Sequence, residues 1–155
     1  IGSDDPYDLD CGDGNIVSSN DAIDCYLDQD GDGFGKGYAS LECYSCPDGY
    51  SNYNTDCYDQ NSNVFPGSSI WSSSDRGDGS FDYNCDNQEV EKWGGPSNLF
   101  LCTDVPGGQC LGRDGWDNGL IPWCGESWTW VAGCSNEGNQ GCNLETSFER
   151  YQECR

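Results

Sequence analysis

Twelve cysteines spread along 155 residues constrain this chain more than any other feature. They fall at Cys11, Cys25, Cys43, Cys46, Cys57 and Cys85, and again at Cys102, Cys110, Cys124, Cys134, Cys142 and Cys154. An even count at this density points to an oxidising compartment and up to six disulfides, each contributing about 2–4 kcal/mol. The cross-links answer a deficit. Val, Ile, Leu and Phe together make about 15% of the chain, and the formal net charge is −22. Without cross-links, so few apolar residues and so much charge belong to disordered chains. Spacing alone leaves the pairing of the cysteines open.

The 22 glycines and six prolines interrupt every stretch long enough for a helix, and no run of ten residues has helical periodicity. Short strands fit better, at Ile23–Leu27, Gly37–Cys43, Leu99–Thr103, Trp128–Gly133 and Thr146–Cys154, with Ser127–Trp130 pairing across from Phe148–Tyr151. The expected fold is small, disulfide-rich, loop-dominated and mainly β. Composition changes near Asn87–Glu91. Residues 1–88 hold most of the Asp, whereas 89–155 hold five of the six Trp and half the cysteines. Two parts follow: an acidic region with an N-terminal arm over 1–88, and a Cys/Trp-rich β module over 89–155.

The most specific motif is D-Q-D-G-D-G-F-G at 28–35. Carboxylates two residues apart at Asp28, Asp30 and Asp32 converge only if the backbone coils tightly, and Gly33 stands where the sharp turn falls. Ca²⁺ takes six to eight hard oxygens, and this acidic start opens calcium loops of the EF-hand type. The Phe34 carbonyl occupies the position whose backbone oxygen binds the ion. Position 12 is Ala39 rather than Glu, so the expected loop lacks flanking EF-hand helices and takes its missing ligands from elsewhere. Asp56 and Asp59, or Glu42, are the candidate donors. A second acidic group, Asp75, Asp78, Asp82, Asn84 and Asp86, either completes that site or builds another. The arm acids Asp4, Asp5, Asp8, Asp10 and Asp13 fit a solvated surface equally well. Asp-Gly pairs also make ordinary turns, which is the competing reading of every one of these positions.

Five pieces in order, D-Q-D-G-D-G-F-G (28–35), C-P-D-G-Y (46–50), T-D-C-Y-D (55–59), N-V-F-P-G (63–67) and F-D-Y-N-C-D (81–86), resemble one repeat of the MopE-type metal-binding family of bacterial secreted and surface proteins. The resemblance spans Tyr26 to Asn87. It departs from the family at Tyr58, where D-C-D-D is usual, and at 83–87, where N-D-C-D-G is usual. It implies metal binding by these acids in an extracellular protein. The segment after Gly115 resembles the small Cys-rich tail often joined to such repeats. It bears a thinner resemblance to thrombospondin type-1 modules, which implies Trp and Arg side chains stacked in layers. The family's name carries copper, but copper sites favour imidazole and soft sulfur. This chain has no His and no Met, and its cysteines are assigned to disulfides. Ca²⁺ is therefore the expected cofactor.

Other signals are weaker. Arg76-Gly77-Asp78 spells an integrin-read tripeptide, but coincidence explains it in a chain so rich in Gly and Asp. Cys43-Tyr44-Ser45-Cys46 lacks the partners of a zinc or redox site and reads as disulfide cysteines. With no His for general-base work and no nucleophile or phosphate-loop motif, an enzyme is not expected. The acidic charge excludes nucleic acid and anionic lipid as partners. No apolar run of 18 residues spans a membrane, and Ile1 reads as a processed or trimmed start. The expected function is an extracellular calcium-binding structural or adhesion protein, self-associating or meeting a cell surface or matrix, as in a surface layer or filament. Two alternatives remain: a carbohydrate-binding module using Trp116, Trp123, Trp128 or Trp130, and a scavenger of metal such as copper.

Overall fold

The computed structural model describes residues 22–155 except 44, 137, 139 and 140; Cys11 and the arm acids lie outside the described residues. The fold is small, loop-rich and mainly β, and its helical content among the described residues is confined to short 3₁₀ turns such as Pro96–Asn98 and Asp117–Gly119. No helix among these residues is long and apolar enough to cross a membrane. The chain forms two units, described separately below. One comprises 22–70 with 82–87, and the other 71–81 with 88–155.

In the first unit, β1 (Ile23–Leu27) is the centre of a three-stranded antiparallel sheet between β2 (Leu41–Cys43) and β3 (Tyr50–Ser51). The β1 range is the one expected from the sequence. β2 is shorter than the expected Gly37–Cys43, because Gly37 sits at φ 96°, outside the extended region. The sealed apolar interior is very small: Cys25, Cys43, Val64 and Tyr83. Disulfides Cys25–Cys46 and Cys57–Cys85 reinforce it, and Cys43 is also disulfide-bonded.

Aromatic packing adds a little more. The Phe34 ring stacks on Phe65 with centroids 5.8 Å apart and lies 5.6 Å from Tyr53. Gly35 is buried behind this ring. A Cβ there would come within 2.8 Å of the Leu27 and Tyr26 carbonyl oxygens and the Tyr26 Cβ. Backbone cannot retreat as a flexible side chain can. Gly35→Ala is therefore expected to destabilise this unit by about 1–3 kcal/mol, read from chemical denaturation. A change below 0.5 kcal/mol would contradict the close approach.

The second unit is built on a long hairpin of β7 (Ser127–Asn136) and β8 (Cys142–Tyr151), with β6 (Gly115–Trp116) on the far side of β7. The register pairs Ser127 with Tyr151 and Trp130 with Phe148, as the alternation of small polar and aromatic residues anticipated. The β4 (Leu101–Val105) and β5 (Gln109–Arg113) strands form a separate hairpin. Cys102–Cys134 and Cys110–Cys142 bind it to β7 and β8, and Cys124–Cys154 closes the C-terminus.

The core here is aromatic. Trp116 is fully buried and Trp130 nearly so, with rings edge to face at 5.1 Å. The Arg150 guanidinium lies 4.2 Å from the Trp93 ring and 4.4 Å from the Trp130 ring. A cation held between two aromatic faces contributes about 1–2 kcal/mol per partly desolvated contact. None of the cysteines among the described residues is free.

Candidate metal centre

The segment after β1 coils because its carboxylates and glycines dictate it. Asp28 accepts hydrogen bonds from the Gly31 amide on Oδ1 (2.7 Å) and the Gly33 amide on Oδ2 (3.0 Å). Asp30 Oδ1 accepts from the Asp32 amide, and Asp32 Oδ1 from the Phe34 amide. Gly31 and Gly33 take φ of 79° and 96°, where a side chain would be strained. Each acid thus fixes its own orientation by capping the turn that follows it.

Backbone contacts then bring a second stretch alongside. The Gly35 amide donates to the Tyr53 carbonyl, and the Asp56 amide donates to the Gly35 carbonyl. Lys36 Nζ donates to the Cys57 carbonyl, and the Ser51 hydroxyl donates to the Gly33 carbonyl. Asp56 Oδ1 is held by the Tyr58 amide (2.9 Å), and Asp59 Oδ1 by the Gln29 amide (2.7 Å). The Cys57–Cys85 disulfide anchors this stretch from behind.

Five acids thereby meet. Asp28, Asp30 and Asp32 offer carboxylate oxygens within 4.8 Å of one another, and so do Asp30, Asp56 and Asp59. Three oxygens, Asp30 Oδ2, Asp32 Oδ2 and Asp56 Oδ2, are shut off from solvent and have no hydrogen-bond donor. Asp56 is only 6% exposed. A buried carboxylate oxygen without a partner costs several kcal/mol, and native proteins rarely leave three of them together.

Burial, followed by the neighbouring negative charges, pushes the carboxyls of Asp30 and Asp32 up and that of Asp56 up to about 6, against the pull of backbone amides. The sign of the linkage follows. A carboxyl with a raised folded pKa binds its proton more tightly when folded, so the metal-free protein gains stability as pH falls from about 6 towards 4. A divalent cation would need the ionised groups, so any contribution from one held there would fade over the same range. Chelator-treated protein is expected to melt higher at pH 4.5 than at 7.5 relative to Asp56→Asn, which has nothing to titrate there. Equal pH slopes for the two would contradict this.

The other sequence candidates are engaged elsewhere. Asp78 is paired to Arg76 through two 3.0 Å contacts, Nε to Oδ1 and a terminal guanidinium nitrogen to Oδ2, and this hydrogen bonding lowers its pKa. The same pair locks the two charged side chains of the Arg-Gly-Asp tripeptide to each other. Asp75 accepts from the Gly77 and Gly79 amides. Asp82, nearly buried, accepts from the Asp86 amide on Oδ1 and the Asn87 amide on Oδ2, capping the turn at 85–87. Asp86 accepts from Asn84 Nδ2. None of Asp78, Asp82 and Asp86 belongs to a group of three potential ligands among the described residues. Phe34 supplies its amide to Asp32 and its ring to the stack above. The Glu42 side chain lies outside the described part.

The remaining dense groups of potential ligands, at Cys110, Cys134 and Cys142 and at Asp56, Cys57 and Cys85, contain disulfide sulfurs rather than thiolates. Of the four tryptophans considered as sugar platforms, Trp116 and Trp130 are in the core and Trp128 is half-buried, while Trp123 is 77% exposed. Sequence reading missed the parts played by Gly35, Ser51 and the Gln29 amide, which act through backbone approach and carry no motif of their own. No family model, curated protein or solved structure matches this chain.

Proposed function

We propose that this chain is an extracellular calcium-binding module, cross-linked by disulfides, that serves a structural or adhesive role. The observation that carries the reading is the set of three buried carboxylate oxygens on Asp30, Asp32 and Asp56 with no donor. Their chemistry selects the ion. Hard carboxylate oxygens suit Ca²⁺, and with no His or Met in the chain and the described cysteines oxidised, copper finds no soft ligand among the described residues. Bound calcium would tie the 28–34 loop to the 56–59 stretch and offset their mutual repulsion, and the disulfides would hold what remains. Extracellular modules bind calcium with Kd of roughly 10⁻⁴–10⁻³ M, so the millimolar calcium outside cells would keep such a site loaded.

A role in an assembly draws support from β8. It is ten residues long, mostly exposed and, among the described strands, at the edge of its sheet, a position that can template a further strand. Calorimetric titration of chelator-stripped protein tests the calcium reading. The expected result is saturable Ca²⁺ binding with Kd at or below the millimolar range, and no comparable site for Cu²⁺. Absence of calcium binding at 10 mM would overturn it (roughly tenfold above the weakest expected Kd).

A further inference from the structure

We propose that the five carboxylates hold two calcium ions side by side, one on Asp28 and Asp32 and one on Asp56 and Asp59, with Asp30 bridging them. This rests on the calcium reading above and assigns its second ion.

The geometry divides the acids. Calcium–oxygen bonds run 2.3–2.6 Å, so two oxygens on one ion are at most about 5 Å apart. Asp28, Asp30 and Asp32 satisfy that limit together, and Asp30, Asp56 and Asp59 satisfy it together. Among the described residues no four carboxylates do so, which leaves one triad unserved by any single ion. Asp30 is the member common to both.

Each triad also holds an unclaimed oxygen of its own. Asp32 Oδ2 marks the first, and Asp56 Oδ2, on a side chain only 6% exposed, marks the second. Asp30 Oδ2 is equally without a donor, while its carboxylate is held from the other side by the backbone amides of Asp32 and Asn61. With the carboxylate so oriented at the corner shared by both triads, Oδ2 is the atom left to address an ion on either side. Charge agrees: one Ca²⁺ among five carboxylates leaves three negative charges in a part-buried cluster, and two leave one. Bridged pairs of this kind place their metals about 3.5–4 Å apart.

Native mass spectrometry of the full chain, disulfides intact, at a calcium level that just saturates it, counts the ions. Asp28→Asn and Asp59→Asn are each expected to lose one calcium relative to the unaltered protein, and Asp30→Asn to lose two, whatever other sites the chain carries. Loss of only one ion from Asp30→Asn, or none from Asp59→Asn, would overturn the bridged pair while leaving a single calcium site standing. No calcium on the unaltered protein would sink both readings. A second measurement needs no variant. Protein loaded with a Tb³⁺/Eu³⁺ mixture is expected to show Tb³⁺ emission quenched by Eu³⁺ at the short spacing, and unquenched Tb³⁺ emission in saturated protein would overturn the proposal.

Discussion

Stripping calcium from the protein is expected to lower the melting temperature of the acidic unit by on the order of 10 °C for each ion removed. The unit has little else to hold it. Its sealed apolar side chains are two half-cystines, Val64 and Tyr83, and burying a residue such as Val contributes only about 1.5–3 kcal/mol. Against this stand like charges: carboxylates about 4 Å apart repel by roughly 4 kcal/mol per pair at an effective dielectric near 20. An ion at a hundredfold excess over Kd stabilises by about 2.7 kcal/mol, and 1 kcal/mol moves the midpoint of a domain this small by about 4–8 °C.

The effect should be local. Amide exchange at β1 and at the Gly31 and Gly33 amides is expected to accelerate strongly on chelation, because the carboxylates that cap those turns are then left to repel one another. The β7–β8 hairpin has three disulfides about it and no carboxylate triad among its described residues, and it should keep its protection. Uniform loss of protection through both units, or none, would contradict that division.

Trp116→Ala should cost about 3–5 kcal/mol in the second unit, the usual range for truncating a buried aromatic. Trp116 has no exposed surface. Its ring meets Trp130 edge to face, and its indole Nε1 donates to the Trp93 carbonyl at 3.0 Å. Its backbone is paired to Trp130 in β7, and its carbonyl accepts from the Phe100 amide. Truncation would open a cavity beneath Trp130, one of the two rings that hold the Arg150 guanidinium. It would also orphan the Trp93 carbonyl. Trp116→Phe keeps most of the volume and loses only the indole N–H and part of the ring, so it should cost less than half as much. Denaturant midpoints of the two variants check the order. A loss under 1 kcal/mol for the alanine variant would mean that the aromatic layer is not the core.

Much of this architecture is legible in the sequence where residue type carries it. The Trp128–Trp130 stretch and Phe148–Tyr151 pair as expected, and β1 spans the expected residues, because β-branched and aromatic residues bounded by turn-formers mark each of them. Elements that depend on turn geometry are harder to read. β4 begins two residues later than the expected Leu99. Its partner β5 follows the Gly107–Gly108 turn, where both glycines take positive φ, and that pair was the available signal for the missed hairpin. β3 is two residues long and has no pattern to detect.

The same distinction holds among the acids. Asp28, Asp30 and Asp32 are regular enough to read directly. Asp56 and Asp59 reach them through contacts such as the Asp56 amide to the Gly35 carbonyl and the Gln29 amide to the Asp59 carboxylate, which sequence spacing does not encode. Asp82 caps the turn at 85–87 as Asp28 caps its own, so the local sequence does not tell which acids gather into a triad. The disulfide partners, 21 to 32 residues apart, follow from the folded path alone.

The most direct measurement is an experimental density map of the protein grown in millimolar calcium, with anomalous scattering used to identify the ion. The account predicts metal density bonded to Asp30 Oδ2, Asp32 Oδ2 and Asp56 Oδ2 at about 2.3–2.6 Å. Carboxylates turned out into solvent, or only water between them, would contradict it.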